Sequence, residues 1–371
     1  MIAADMDARI DALKAPFPWF GGKSRASSLI WSRLGNVDTY NEPFAGSLAV
    51  LLSRPHTPRV ETVNDLDCYL ANFWRALQAD PESVAYYADY PVNETDLHAR
   101  HQWLVNQAEF QAAMKADPEF FDPKIAGWWV WGQCLWIGSG WCSKPEWTGR
   151  GHAAGADRGV HALGVTAQRD RNPNGAAHQA RRPHLSSDQG VTATRRWNGG
   201  GKGGGSGVCA PGLVASSDGL YDYLAALSDR LRRVRVCCGN WDRILTPSVT
   251  TYIGVCGVVL DPPYDPEAIA VGANKVDGHA PSDKIYNHHD PDVSRKVREW
   301  AIANGDNPLF RIALCGYEGE HTMPETWECV EWKAHGGYSR TERGKANRGR
   351  ERVWFSPHCD RIPNLFSEQT A

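Results

Sequence analysis

The stretch Val-Val-Leu-Asp-Pro-Pro-Tyr, from Val258 to Tyr264, is an apolar run that stops abruptly at an acidic residue and two prolines. A run without alternation is typical of a parallel strand, because such a strand is covered on both faces. The prolines end the strand, since neither can donate a hydrogen bond to a sheet ladder. Open α/β sheets bind ligands at the carboxyl ends of their strands, so Asp261 to Tyr264 is a candidate site.

The side chains of this candidate site suit a nucleobase. Asp261 supplies a carboxylate, Pro262 a carbonyl and Tyr264 a flat ring. Together they can accept hydrogen bonds from an exocyclic amine and stack on a base, which is the chemistry needed to hold an adenine pulled out of a duplex. A plain turn after a core strand is the alternative, because short motifs often match by chance.

Two glycine-bearing turns come early in the chain. In the first, Gly21 and Gly22 lie between Trp19 and Lys23. This turn is either a surface loop or a pocket edge that grips a carboxylate or phosphate with the lysine and backbone amides. The second, Phe44 to Ser47, connects a short strand to a helix and lets a ligand approach the backbone closely.

Acidic residues follow the second predicted strand, Val60 to Val63. A doubly wound fold uses an acidic residue there to bind ribose hydroxyls, and Asp65 is our candidate for that role. Asp67 competes for it. Either residue also suits the amino-terminal cap of a helix that begins at Cys68.

These motifs, and their order along the chain, resemble those of the Dam-type (D12 class) DNA adenine-N6 methyltransferases in the alpha arrangement. The resemblance extends from Pro16 to about Gln78 and from about Val234 to Pro357. It implies an α/β, Rossmann-like S-adenosylmethionine-dependent methyltransferase fold with a mixed, mostly parallel sheet and an inserted target-recognition module. We expect the methyltransferase domain in residues 1–80 and 215–371, and a helical, tryptophan-rich and basic insertion in residues 81–214.

The resemblance also implies a role for each matching residue. The S-adenosylmethionine site would be lined by Trp19, Lys23, Phe44, Gly46, Asp65, Asn240 and Asp261. Asp261, Pro262 and Tyr264 would hold the target adenine, and no metal is expected. The chain departs from the family pattern at Leu48, where a second glycine is usual, and at Asn240, where an acidic residue is usual.

The implied reaction is methyl transfer from S-adenosylmethionine to N6 of a flipped adenine in duplex DNA. A cytosine-N4 methyltransferase uses the same geometry and is one alternative. A non-catalytic DNA-binding protein on a methyltransferase fold is another. We expect a monomer with no membrane partner, in the cytoplasm of a bacterial or phage-infected cell.

Two basic segments are candidates for DNA contact. The formal net charge of the chain is only -3, so the positive charge that DNA contact requires must come from local patches. Between Arg150 and Lys202 there are nine Lys/Arg, three Asp and no Glu, which predicts either a DNA-tracking arm over residues 148–207 or a solvated linker. A second loop carries Arg340, Arg343, Lys345 and Arg348, which we predict to contact phosphates.

The remaining sequence predicts ordinary folded structure. The chain has no apolar run as long as a membrane span, and its ten cysteines include no CxxC pair, so we expect reduced core thiols. The tryptophan-rich segment from Gly127 to Cys142 is predicted to be a packed mini-core, with a border of the DNA site as the alternative. The last strands, Trp327–Ala334 and Arg352–Phe355, are predicted to pair antiparallel.

Overall fold

The computed structural model of the 371-residue chain describes residues 13–19, 21–136, 140–143, 217–264, 292–332 and 349–361. These residues belong to two compact units. The helical unit contains the chain up to Trp19 and from Asp67 to Arg232, and the sheet unit contains Phe20–Leu66 and Arg233–Ala371.

The described elements are nine α-helices, seven strands and one 3₁₀-helix, Trp241–Ile244. The helices are α1 Ser27–Leu34, α2 Ala49–Leu52, α3 Cys68–Ala79, α4 Pro81–Ala88, α5 Glu94–Val105, α6 Ala108–Ala116, α7 Pro123–Leu135, α8 Ser217–Leu231 and α9 Val293–Gly305. The strands are β1 Thr39–Glu42, β2 Val60–Asp65, β3 Val234–Cys238, β4 Cys256–Leu260, β5 Phe310–Tyr317, β6 Glu328–Glu331 and β7 Glu351–Phe355.

One sheet contains all seven strands, in the order β3-β2-β1-β4-β5-β7-β6. The first five strands in this order, β3, β2, β1, β4 and β5, are parallel to one another, while β7 runs antiparallel to both β5 and β6. The predicted α/β class with a mixed, mostly parallel sheet is confirmed, as is the antiparallel pairing of the last two strands. The chain order reverses between β1 and β4, which makes the gap between their carboxyl ends the ligand position expected of such a sheet.

Strand β4 is covered on both faces, which explains why its sequence does not alternate. Val258 and Leu260 pack in a core with Val297 of α9. Gly257 points to the other face, where an added Cβ would lie 3.1 Å from the side chain of Val37. A larger residue at position 257 would therefore push against the segment that follows α1.

The tryptophan-rich segment forms part of the core of the helical unit. Trp129 lies in α7, is 2% exposed and packs against the rings of Phe17 and Phe73. The indole of Trp141 donates a hydrogen bond of 3.0 Å to the Trp129 carbonyl and covers Gly132, where any Cβ would overlap its ring. Dense aromatic packing of this kind is a large source of buried apolar area.

The two compact units divide the chain after Trp19, Leu66 and Arg232, whereas the expected domain boundaries were at residues 80 and 215. Helix α3 packs on α7, and α8 packs on α3 and α4, so both helices cluster with the helical unit. Which residues make up the methyltransferase domain stays a prediction. In the described parts of the chain, no helix has the length and apolar character to span a membrane.

Candidate active site

The predicted catalytic residues and one predicted cofactor turn lie at the same edge of the sheet. β1 and β4 are neighbours, with Asn41 opposite Val258 in the parallel register. Asp261 follows β4 directly, and the turn that begins at Phe44 follows β1. The carboxyl end of β2 adds Asp65 on the other side of β1.

Lys23 and Asp261 form an ion pair in the middle of this edge. The Lys23 ammonium lies 2.7 Å from each carboxylate oxygen of Asp261 and donates a 2.8 Å hydrogen bond to the carbonyl of Gly21. Lys23 is only 4% exposed, whereas the Asp261 side chain is 24% exposed. Burial alone would lower the pKa of Lys23, but the negative charges of Asp261 and Glu351 outweigh it and raise the pKa well above its usual range.

Tyr264 is held by two residues that the sequence did not identify. Its hydroxyl donates a 2.9 Å hydrogen bond to the carboxylate of Glu351, and its ring meets Tyr317 edge to face, with centroids 4.6 Å apart. The Lys23 ammonium lies 5.2 Å from the centre of the Tyr264 ring and 5.9 Å from that of Trp332. Both distances are within the range of a cation–π contact.

Glu42, the last residue of β1, is a buried acid close to this cluster. Burial raises its pKa from 4.5 to about 8, and the negative charge of Asp261 adds to the rise. The hydrogen bond that the Tyr40 hydroxyl donates to Glu42, at 2.9 Å, acts in the opposite direction. Below this pKa the carboxyl is protonated and adds no charge beside Asp261.

Asp65 lies against the turn after β1. Its carboxylate accepts a 3.1 Å hydrogen bond from the backbone N–H of Gly46, which has a left-handed φ of 47°. Asp67 has a separate role, because its side chain caps α3 by accepting from the N–H groups of Tyr69 and Leu70. The structure thus separates the two acidic candidates: Asp67 is the helix cap, and Asp65 faces the glycine turn.

The position where Leu48 replaces the usual glycine also requires a left-handed backbone. Leu48 has φ 53° and ψ 26°, a conformation that costs a residue with a Cβ about 1–2 kcal/mol. Its side chain is fully buried. The turn therefore has a left-handed backbone at a residue whose apolar side chain adds to the core beneath it.

The other predicted cofactor residues lie in different surroundings. Phe44 stacks on Trp241, with ring centroids 6.3 Å apart and planes inclined by 21°. Asn240 is exposed and donates a 2.8 Å hydrogen bond to Asp242. Trp19 belongs to the helical unit, where it packs against Phe17 and Trp129, and its role in the cofactor site stays a prediction.

The predicted DNA-contacting residues Arg340, Arg343, Lys345 and Arg348 lie outside the described residues, as does the basic segment 148–207.

Three residues of the candidate site were not identified from the sequence, namely Glu351, Tyr317 and Trp332. The only signal for Glu351 was an acidic residue directly before the predicted strand Arg352–Phe355, and acidic residues are common at solvent-exposed positions.

Part of the chain matches a known protein family. Residues 19–124 match the family model of the D12 class N6 adenine-specific DNA methyltransferases. The matched range includes Lys23, the turn after β1 and Asp65, and ends well before β4. No individual protein of established function is similar enough to this chain to add to that match.

Proposed function

Because the chain is a D12 class N6 adenine-specific DNA methyltransferase, we propose that Asp261, Pro262 and Tyr264 hold the target adenine while its N6 receives a methyl group from S-adenosylmethionine. The observation that carries this assignment is the place of Asp261. It is a partly exposed carboxylate fixed by buried Lys23 at the carboxyl end of β4, beside the turn that follows β1.

Asp261 would act on the amine of the base. The lone pair of N6 is delocalised into the adenine ring, which makes the amine a poor nucleophile. The Asp261 carboxylate and the Pro262 carbonyl would accept its two N–H groups, favour a more tetrahedral nitrogen and direct the lone pair at the methyl group. A carboxylate has about four acceptor positions, so Asp261 can bind the amine as well as Lys23. Positioning and local electrostatics carry this step.

Tyr264 would form one wall of the base pocket. Extruding a base from a duplex costs a few kcal/mol in lost pairing and stacking, and an aromatic ring in the pocket offsets part of that cost. The ring of Tyr264 packs against Tyr317, and its hydroxyl donates a hydrogen bond to Glu351. A ring already held in place loses little conformational freedom when the base arrives.

The residues at the ends of β1 and β2 fit S-adenosylmethionine. Asp65 offers a carboxylate for ribose hydroxyls, Gly46 a turn without a side chain, and Phe44 an aromatic face. When bound, the cofactor supplies a methyl group activated by its sulfonium charge. Lys23 and Asp261 would border the methyl-donating end of that site, and Lys23 would keep the Asp261 carboxylate in place.

We propose that the chain acts as a monomer on duplex DNA, in the cytoplasm of a bacterial or phage-infected cell. Arg340, Arg343, Lys345 and Arg348 would contact phosphates, which position the duplex without reading its sequence.

The assignment of Asp261 is tested by transfer of labelled methyl groups to DNA. Asp261→Asn keeps the volume of the side chain and one acceptor for Lys23, but it replaces an acceptor oxygen by a donor. We expect transfer to fall by about 10²–10³ or more, the usual effect of removing one electrostatic contact to the reacting group. Glu299→Gln, at an exposed position of α9, is the matched control and should transfer at the wild-type rate. Normal turnover by Asp261→Asn would remove Asp261 from the reaction.

A further inference from the structure

We infer that Glu351 is a positioning residue for methyl transfer, which sets the plane of the Tyr264 ring against which the target adenine stacks. The inference rests on the proposed function, in which Tyr264 contacts the base. Its basis is the hydrogen bond of 2.9 Å between the Tyr264 hydroxyl and the Glu351 carboxylate, which connects the end of β4 to the beginning of β7.

The direction of β7 explains how its first residue reaches the site. β7 is antiparallel to β5, and Glu351 lies opposite Tyr317 in their register. The amino end of β7 therefore lies beside the carboxyl end of β5, at the edge where parallel strands present their ligand-binding residues. Because β7 runs antiparallel, the side chain of Glu351 reaches Tyr264, which follows β4.

The surroundings of Glu351 hold its side chain in one place. It is 7% exposed, and its backbone carbonyl accepts a hydrogen bond of 3.3 Å from the backbone N–H of Trp332. Burial raises the pKa of Glu351, while the positive charge of Lys23 lowers it and the negative charge of Asp261 raises it further. A carboxyl buried in this way is not a solvated surface acid, and the hydroxyl of Tyr264 meets part of its need for hydrogen-bond donors.

The hydrogen bond to Glu351 restricts the rotation of the Tyr264 ring. Tyr317 packs against the Tyr264 ring, but the torsion about the Cβ–Cγ bond is broad when the hydroxyl has no partner. The hydroxyl oxygen lies on this axis and its O–H lies in the plane of the ring, so an acceptor at a fixed point favours the ring orientation whose plane contains that acceptor. A small misplacement of a group that contacts the substrate lowers the rate strongly, since the reacting atoms must lie in line.

The test is a double-mutant cycle between positions 264 and 351, with turnover measured on a duplex that contains the target sequence. The target sequence is first found by mapping N6-methyladenine in DNA incubated with the wild-type protein. We expect Glu351→Ala and Tyr264→Phe each to lower kcat by about tenfold to a hundredfold, the usual loss for a hydrogen bond to a charged or buried group. The double variant should be no slower than either single one, because both changes remove the same contact.

Two further variants separate positioning from a structural role. Glu351→Gln keeps an acceptor for the Tyr264 hydroxyl and should restore kcat to within about threefold of wild type, since the amide oxygen can accept the same hydrogen bond. Glu331→Gln changes an exposed carboxylate of the neighbouring strand β6 and should have no effect on kcat. Calorimetry should show the same affinity for S-adenosylmethionine in all these variants, and thermal melting should show that they are folded.

The inference is overturned if the losses in the double variant multiply, or if Glu351→Ala turns over at the wild-type rate. The proposed function fails in a different way, namely if Asp261→Ala and Tyr264→Ala both methylate DNA normally. Loss of activity in those two variants without coupling between positions 264 and 351 would leave the proposed function standing and remove Glu351 from it.

Discussion

At the residue scale, the site combines side chains with opposite requirements. Lys23 needs carboxylates to remain charged while buried, and Asp261 needs a fixed cation but must stay accessible to a base. The sequence identified both residues as candidates, because each belongs to a short motif with chemistry of its own. It did not predict their pairing, which depends on a turn near the amino end meeting the end of a strand 238 positions later.

Asp65 gives the first prediction. Asp65→Ala should weaken the binding of S-adenosylmethionine by about 1.5–3 kcal/mol, or one to two decades in Kd, because a charge-assisted hydrogen bond to ribose is lost. Asp67→Ala is the matched control. It removes the cap of α3 and should lower stability by about 1 kcal/mol without changing Kd. Calorimetry that found the affinity loss in Asp67→Ala and none in Asp65→Ala would reverse the two roles.

Glu42 gives a prediction about pH. Its pKa is about 8 in the folded protein and near 4.5 when unfolded, so the folded state binds more protons between these values. Stability is therefore greatest below the lower pKa and falls as pH rises from about 4.5 to 8. Glu42→Gln removes this titration but keeps an acceptor for Tyr40. Thermal melting should show a smaller loss from pH 5 to pH 8 in the variant than in the wild type; equal losses would contradict the raised pKa.

At the scale of elements, an apolar run was sufficient to place β4. It lies where its buried, non-alternating sequence predicted, because a parallel strand inside a sheet is covered on both faces. The role of β7 was not predictable from its own sequence. Glu351 reaches Tyr264 only because β7 reverses beside β5, and strand direction depends on the whole sheet rather than on the residues of one strand.

Leu48 gives a prediction for the turn before α2. Leu48→Gly removes the left-handed strain, a gain of about 1–2 kcal/mol, but it also deletes a fully buried leucine, which costs about 2–5 kcal/mol. We expect net destabilisation. Leu52→Ala, at the end of α2, has no strain to relieve and should cost more. Urea unfolding measures both; a Leu48→Gly protein more stable than wild type would mean that strain, and not burial, dominates at this turn.

At the scale of the whole molecule, the basic segment 148–207 gives a prediction about DNA affinity. It lies outside the described residues, and its nine Lys/Arg against three Asp suggest phosphate contact. Each phosphate contact adds about 0.9 to the slope of log affinity against log salt. Deleting the segment should flatten this slope and weaken binding to all duplexes alike.

A variant that keeps the length of this segment but replaces its Lys and Arg by Gln separates charge from chain length. It should reproduce the salt slope of the deletion. A slope unchanged in both variants would make the segment a linker. Composition alone could not decide between these roles, because flexible basic chains are common both in linkers and in arms that bind DNA.

The most direct test of the account is the identity of the methylated nucleoside. DNA incubated with the protein and S-adenosylmethionine is digested to nucleosides and analysed by mass spectrometry, with the Asp261→Ala protein treated in the same way. We predict N6-methyladenine with the wild type and no methylated base with Asp261→Ala. N4-methylcytosine with the wild type, or equal amounts of N6-methyladenine from the two proteins, would contradict the account.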